Sequence, residues 1–158
     1  MKLPKLVKTE LDGQIAELVG STNHQTAVIW ACDCAQRVLA YFEEMYPEDD
    51  RPRLAIAAGR AWASTGVFRM ADIRQASLDS HTAARDAQDY SAARSAARAA
   101  GQAVAAAHVA GHAVVAAIYA ATAVRDSVPA GDLESAVTHE RQWQYQHLRE
   151  LHDVTPRR

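Results

Sequence analysis

The alanine-rich stretch from Ser91 to Val124 limits what this chain can fold into. Alanine is the strongest helix former because it loses no side-chain entropy on folding, and the stretch contains no proline. The sequence therefore predicts one long helix over residues 91–124, which would extend roughly 50 Å. A compact chain of 158 residues is only roughly 40 Å across. The helix must then protrude or bend, and Gly101 is the predicted bend.

Two different faces run along this predicted helix. One stripe is polar, and it contains Arg94, Arg98, Ala105, His108, His112 and Tyr119. The opposite face is small and apolar, and it contains Ala96, Ala99, Ala103, Ala107, Ala110, Val114, Ala117, Ile118 and Ala121. We expect the small face to pack closely against neighbouring helices, so Ala110 and Ala117 should be buried.

The rest of the chain also reads as helices. Apolar residues recur at helical spacing before Gly20, between a Thr22–Gln25 capping box and Tyr46, and from Asp50 to Gly66. The predicted buried face of this third helix consists of Leu54, Ala57, Ala58, Ala61 and Trp62. Asp72 opens a fourth helix with a small inward face, which suits the alanine face of 91–124.

A short interruption at Asp89-Tyr90 separates the fourth helix from residues 91–124. A loop over 127–131 follows, and Asp132 caps the last predicted helix. No run alternates long enough to predict a strand. We expect an all-α, single-domain bundle of about six helices over residues 1–158, with a core from about 9 to 153 and short flexible tails.

Composition excludes several classes of function. The formal net charge is −2, so no strongly basic surface points to nucleic acid. The N-terminal residues lack the apolar run of a signal peptide. Two histidines interrupt the uncharged segment 103–124, and this argues against a membrane span there. We expect a cytoplasmic protein. Cys32 and Cys34 point in different directions on a helix and are interpreted as buried free thiols.

Few residue patterns point to chemistry. His108 and His112 lie four apart and could share a metal, but Val109 stands where a metalloprotease motif needs glutamate. A third ligand would have to come from another helix, with His81, Asp33 and Glu140 as options. The alternative is that both rings line a groove or form hydrogen bonds, with Asp33 and His81 as partners. No nucleophile elbow or P-loop is present, so no catalytic residue and no cofactor is predicted.

Two other groups are candidate binding residues. Arg51 and Arg53 belong to the DDRPR turn, where we expect at least one of them to pair with a carboxylate and fix the start of the third helix. Trp143 and Tyr145 lie among arginine and histidine, a mixture favoured at protein interfaces. The alternative is that Trp143 completes the core, as a largely buried tryptophan often does. The candidate binding set is therefore His108, His112, Tyr119, Arg51, Arg53, Trp143 and Tyr145.

Several segments together resemble a known family. They are WACDCAQRVLAYFEEMYPEDDRPRLAIAAGRAW, SHTAAR and AARAAGQAVAAAHVAGHAVVAAIYA, which cover about Trp30 to Ala123. These segments are similar to bacterial immunity proteins of polymorphic toxin systems, relatives of the fifth immunity-protein class. The resemblance implies a small cytosolic all-α protein that binds and neutralises a cognate toxin, often encoded beside it, without catalysis. The family often has an acidic residue between the two histidines, where this chain has Gly111.

Three functions therefore remain open from the sequence. The first is a toxin-neutralising binding protein, with a toxin as partner and neither nucleic acid nor membrane. The second is a metal-binding protein or metal-dependent enzyme built on His108 and His112. The third is a helical scaffold that self-associates as a homo-oligomer through its alanine faces.

Overall fold

The chain folds into α-helices joined by short turns. The structure, a computed structural model, describes residues 3–89 and 91–154. This part of the chain contains seven α-helices, one short 3-10 helix (Ala130–Asp132) and no strand, which confirms the all-α prediction. The α-helices are α1 (Asp12–Gly20), α2 (His24–Glu43), α3 (Arg51–Thr65), α4 (Met70–Asp86), α5 (Ala92–Ala105), α6 (His112–Ser127) and α7 (Leu133–Val154).

The alanine-rich stretch is two helices, so the prediction of one long helix is wrong. It breaks at residues 106–111, where backbone hydrogen bonds tighten to the i+3 type, such as His108 N–H to the carbonyl of Ala105 at 3.0 Å. The carbonyl of Ala106, released from the helix, accepts a hydrogen bond from Nε2 of His24 at 2.7 Å. The predicted bend at Gly101 is wrong: this residue lies buried inside the continuous helix α5, against the ring of His81.

Folding back gives both halves of the stretch a buried face. Residues from the start of α5 and the end of α6 line one cavity, so the two helices form an antiparallel hairpin. This hairpin is the centre of the fold: α2 packs on both of its helices, α3 and α4 pack on α5, and α7 packs on α6. An unbroken helix of this length would have left much of its alanine face in solvent, so tertiary packing overrides helix propensity here.

Helix α5 packs closely against its neighbours on two sides, but α4 does not lie on the predicted small face. Serine hydroxyls of α4 donate directly to α5 backbone carbonyls, from Ser80 to Ala97 at 2.8 Å and from Ser77 to Gly101 at 3.0 Å. The ring of His81 on α4 contacts Gly101 and Arg98, so α4 covers the side of α5 that carries the predicted polar stripe. On the other side, a Cβ added to Gly59 of α3 would lie only 2.8 Å from the Cys32 sulfur. Small residues thus allow the helix backbones to approach each other.

The small face is buried in both helices of the hairpin but not in the turn between them. Ala117 is fully buried, as predicted. Ala110 is only partly buried, so that half of the prediction is wrong, because the residue belongs to the turn rather than to a helix face. Large side chains from α2 and α7, above all Trp30, Phe42 and Leu148, fill the space that the alanines leave.

Two details of the predicted helices are also wrong. Asn23, not Thr22, caps α2, since its side chain accepts from the backbone N–H groups of Gln25 and Thr26. The face of α3 is rotated: Leu54 is 55% exposed, whereas the buried residues are Pro52, Ala55, Ile56, Gly59 and Trp62. The sides of an alanine-rich helix differ little in hydrophobicity, so the sequence does not fix which side of α3 is buried. The close approach of Gly59 to α2 and α5 decides it. Gly66 ends α3 as predicted, with a φ of 70°.

A buried polar network attaches α7 to the bundle. Arg141 is 0% exposed and donates to Asp12 of α1 and to the side chain of Gln144, both at 2.8 Å. Gln144 in turn donates to the carbonyl of Ala117 at 2.9 Å, and its own carbonyl accepts from the indole of Trp30 at 2.8 Å. Burial alone would raise the pKa of Asp12, but the hydrogen bonds from Arg141 and Thr9 outweigh it and the pKa lies below its ordinary value.

Three expectations fall partly outside the described residues. Tyr90 of the predicted interruption is one, and the outermost residues of both predicted tails, 1–2 and 155–158, are the others. Within the described residues, no helix is both long enough and apolar enough to cross a bilayer.

Candidate functional site

The clearest exposed apolar surface lies where the α3–α4 loop meets the α5–α6 turn. We call it the turn-end patch and define it by Phe68, Met70, Leu78, His108 and His112. Phe68, Met70 and Leu78 are 42%, 45% and 48% exposed. The ring of Phe68 stacks on that of His108, with centroids 6.0 Å apart. Large apolar side chains left in solvent side by side are typical of a protein-binding surface.

A cavity of about 290 Å³ opens within this patch. Its wall is made by residues of α4, the end of α5 and the α5–α6 turn: Met70, Ile73, Arg74, Ser77, Leu78, Ala105, His108 and His112. The two histidines predicted as site residues are therefore brought together at one surface. The α4 residues and Phe68 were not predicted, although the apolar run Val67-Phe68 directly after the helix-ending Gly66 was a usable signal.

The two histidines have different environments. His112 is partly buried, and its Nδ1 forms a hydrogen bond with the side chain of Gln102 at 2.8 Å, which joins α6 to α5. His108 is exposed and makes only the ring contact with Phe68 among the described residues. The predicted partners Asp33 and His81 are wrong, because His112 bonds Gln102 instead, while Asp33 and His81 bond other residues. His112 thus holds the turn, whereas His108 faces solvent.

Both predicted partners have other contacts. Asp33 accepts from Arg60 at 2.8 Å and from His147 at 2.7 Å. His81 accepts from Arg98 through Nδ1 at 2.9 Å. Burial, with help from nearby cationic groups, lowers the pKa of His81 to about 4, so this ring is neutral at physiological pH.

Tyr119 does not belong to the turn-end patch. It lines a second cavity of about 210 Å³ near the start of α5 and the end of α6, together with Arg94 and Arg98. Because Arg98 and Arg94 lie seven and eleven residues before the end of α5, they are about 10 to 17 Å along the helix from the turn. The single polar stripe predicted along residues 91–124 is therefore wrong, since the chain reversal divides it into two separate sites.

No metal centre is evident from the positions of the usual ligands. Within residues 3–89 and 91–154, no three His, Cys, Asp or Glu side chains lie close enough together to hold an ion. The proposed third ligands His81 and Asp33 are engaged as described, and Glu140 accepts two hydrogen bonds from Arg37, both at 2.9 Å. The two histidines alone would make an incomplete site.

The DDRPR turn is held by ion pairs, as predicted. Arg51 binds Asp49 through two hydrogen bonds of 2.9 and 2.6 Å and reaches Asp86 at the end of α4 at 3.1 Å. Arg53 binds Glu43 at the end of α2 at 2.8 Å. Hydrogen bonds from Arg51 lower the pKa of Asp49. These contacts fix the start of α3, while a binding role for the two arginines stays a prediction.

The aromatic residues of α7 are partly buried. Trp143 lies between the guanidinium of Arg37, 3.8 Å from its ring centroid, and the ring of His147 at 4.8 Å. Tyr145 faces another side, with Arg149 at 5.8 Å from its ring. Trp143 therefore contributes to a contact network between α2 and α7, and its role in partner binding stays a prediction.

The two cysteines are free and buried, which confirms their interpretation. Burial raises the pKa of Cys32 to about 12 and that of Cys34 well above its ordinary value. Since the thiolate is the reactive form, neither sulfur is suited to act as a nucleophile.

Comparison with known proteins places the chain in a family. A family model described as "Imm-5 like putative immunity protein" matches residues 17–151. No curated protein and no solved structure matches the chain. The matched region includes all of α2 to α6 and therefore both hairpin ends described above. Since this match covers most of the 158 residues, the chain belongs to the Imm-5 like family of immunity proteins.

Proposed function

We propose that this chain is a bacterial immunity protein that binds and neutralises the cognate toxin of a polymorphic toxin system in the cytoplasm. The observation that carries this proposal is the family match over residues 17–151. The protein acts by binding and catalyses no reaction. The buried, protonated cysteines and the incomplete set of metal ligands are consistent with this mode of action.

The turn-end patch is the surface that we assign to toxin binding. Its apolar centre consists of Phe68, Met70 and Leu78, each more than two-fifths exposed. Aromatic and long apolar side chains of this kind form the energetic centre of many protein interfaces. The ring nitrogens of His108 add polar atoms beside the apolar centre.

The rim of the patch indicates the chemistry of the partner. Arg69 and Arg74 are exposed beside it and form no ion pair with any described residue, and Asp72 and Asp79 are the acidic residues next to the patch in sequence. The rim thus carries both signs of charge in equal number. We therefore expect the toxin to present an apolar projection flanked by both carboxylates and cationic side chains, because complementary charge guides association and fixes orientation.

The test uses the toxin domain encoded by the gene beside that of this chain. Wild-type protein should bind the purified domain in biolayer interferometry and should restore growth to cells that express it. Met70→Asp places a charge in the patch and should weaken binding by about a hundredfold, as expected at the centre of an interface. Leu54→Asp is the matched control, because Leu54 is 55% exposed near the other end of α3.

The possible outcomes test the immunity function and the assigned toxin-binding surface separately. If wild-type protein neither binds nor protects, the immunity function is wrong. If it binds but Met70→Asp and Leu54→Asp bind equally well, the function stands and the assigned surface is wrong. Circular dichroism of both variants shows whether a loss of binding comes from a loss of fold.

A further inference from the structure

The second cavity has the composition of a ligand site. It lies between the start of α5, the end of α6 and the N-terminal segment, and its volume is about 210 Å³. We call it the cationic cavity and define it by Lys5, Asp89, Arg94, Ser95, Arg98, Tyr119, Arg125 and Asp126. Four cationic side chains thus face two carboxylates. The excess of positive charge in a confined space favours an anion.

Arg98 is the cation whose charge is least neutralised. Arg94 pairs with Asp89, and Arg125 pairs with Asp126 at 2.9 Å. Arg98 forms no ion pair with any residue that the structure describes. The carboxylate of Asp89 is largely exposed, so its contact with Arg94 is the more easily replaced of the two pairs.

The surroundings of Arg98 make an additional anion favourable. Its one hydrogen bond among the described residues goes to the neutral ring of His81, which leaves its other N–H groups available. Burial and the nearby guanidiniums of Arg94 and Arg85 lower the pKa of Arg98. A bound anion would offset both effects, because it supplies the opposite charge that this guanidinium lacks.

Ser95 adds a hydroxyl group to the cavity. Its side chain lines the cavity, and its hydroxyl forms no hydrogen bond with any described residue, so it is available to donate to a ligand. Ser95 also lies in the first turns of α5, where the helix dipole adds partial positive charge. The phenol of Tyr119 supplies another O–H donor at the same cavity.

We propose that the cationic cavity binds an oxyanion, which is a phosphate or carboxylate group, through Arg98, Ser95 and Tyr119. Guanidinium and hydroxyl donors are the groups that recognise such oxygens in proteins. A neutral ligand would leave the excess positive charge uncompensated. This site goes beyond toxin binding and shares no residue with the turn-end patch, so either assignment can fail without the other.

Nuclear magnetic resonance of the full chain tests the site directly. Sodium phosphate is titrated while sodium chloride keeps the ionic strength constant, and sodium acetate is titrated in a parallel experiment. We expect the amide signals of Ser95, Arg98 and Tyr119 to shift and saturate while that of His108 stays in place. Saturation by phosphate alone assigns a phosphate group, and saturation by both anions assigns a site that also accepts carboxylates.

Variants connect the shifts to the proposed donors. Arg98→Gln should weaken anion binding by about tenfold because it removes a charge-assisted hydrogen bond. Arg149→Gln removes the same charge from the exposed surface of α7 and should leave the affinity within about twofold. Tyr119→Phe and Ser95→Ala each remove only a hydroxyl and should weaken binding by about threefold, which keeps the test valid if Arg98→Gln does not fold.

Two results would overturn the proposal. One is the absence of saturating shifts at the cavity with either anion. The other is an equal loss of affinity in Arg149→Gln and Arg98→Gln, since this would mean that the anion responds to the overall charge of the protein rather than to the cavity.

Discussion

The two ends of the α5–α6 hairpin differ sharply, although one alanine-rich segment forms both. The turn end exposes Phe68 and Met70 around His108. At the opposite, open end, where α5 begins and α6 ends, arginines line the cationic cavity. Between them the hairpin presents mainly small, buried side chains to its neighbours. Alanine determines how closely the helices pack, and recognition chemistry is found where that packing stops. The apolar end suits a protein surface, and the cationic end suits a small anion.

The largest expected effect is on toxin affinity, which should depend on the turn end of the hairpin and not on the open end. Phe68→Ala should reduce the affinity for the toxin domain by about 3 kcal/mol, the range of a central interface residue. Arg98→Gln should leave that affinity nearly unchanged, because its cavity lies at the other end of the hairpin. Both variants are measured by biolayer interferometry. If Arg98→Gln weakens toxin binding as much as Phe68→Ala, the toxin covers both ends and the division between them is wrong.

The next largest effect is on stability and concerns the small buried face between the two ends of the hairpin. Ala117→Leu places a larger side chain at a fully buried position of α6, whose carbonyl accepts from Gln144, and should lower the free energy of unfolding by about 1–3 kcal/mol. Ala110→Leu is the matched control in the partly exposed turn and should change it by less than about 0.5 kcal/mol. Urea denaturation measures both. Equal losses would show that the turn is packed as tightly as the helices.

These two alanines also show how far the sequence could predict the fold. Helix content, the end of α3 at Gly66 and the burial of the cysteines followed from local rules, and the structure confirms them. Helix α4 does pack on α5, but on the side of Arg98 and Gly101 rather than on the predicted small face. The chain reversal did not follow from these rules, because alanine favours helix equally at every position from 91 to 124. Ala110 and Ala117 are chemically identical, and only the tertiary fold distinguishes them.

The candidate site was less predictable than the fold. His108 was identified because a ring stands out among alanines, whereas Phe68 and Met70 belong to another segment that only the chain reversal brings beside it. The apolar pair Val67-Phe68 after Gly66 marks an unusual loop, but the sequence does not show that this loop lies beside His108. That the whole chain forms one domain stays a prediction, as does each binding role.

A pH-dependent effect is expected at His81, which bonds Arg98 of the cationic cavity. His81 takes up a proton at about pH 4 when folded but near pH 6.5 when unfolded, so between these values the unfolded chain holds more protons. The free energy of unfolding should therefore fall as the pH drops through this window. The ring is only partly buried, and solvent screening reduces the contribution of His81 to about 1–2 kcal/mol.

Denaturation of two histidine variants measures this contribution. His81→Gln should flatten the decrease in stability between about pH 6.5 and pH 4, because it removes the group that titrates there. His139→Gln, at an exposed position of α7, should leave the decrease unchanged. Asp12 and Asp49 do not interfere, since their pKa values are lowered and their contribution is lost only at more acidic pH. The same slope in His81→Gln and in the wild type would contradict the assignment.

The smallest expected effect distinguishes the roles of the two histidines at the turn end. His112→Ala removes the hydrogen bond to Gln102 and should lower the free energy of unfolding by about 1 kcal/mol. His108→Ala should leave stability unchanged but weaken toxin binding, because this ring is exposed against Phe68. The double variant should show both losses independently. If His108→Ala instead costs as much stability as His112→Ala, the Phe68–His108 contact supports the turn, and Met70 and Leu78 would have to carry toxin binding without it.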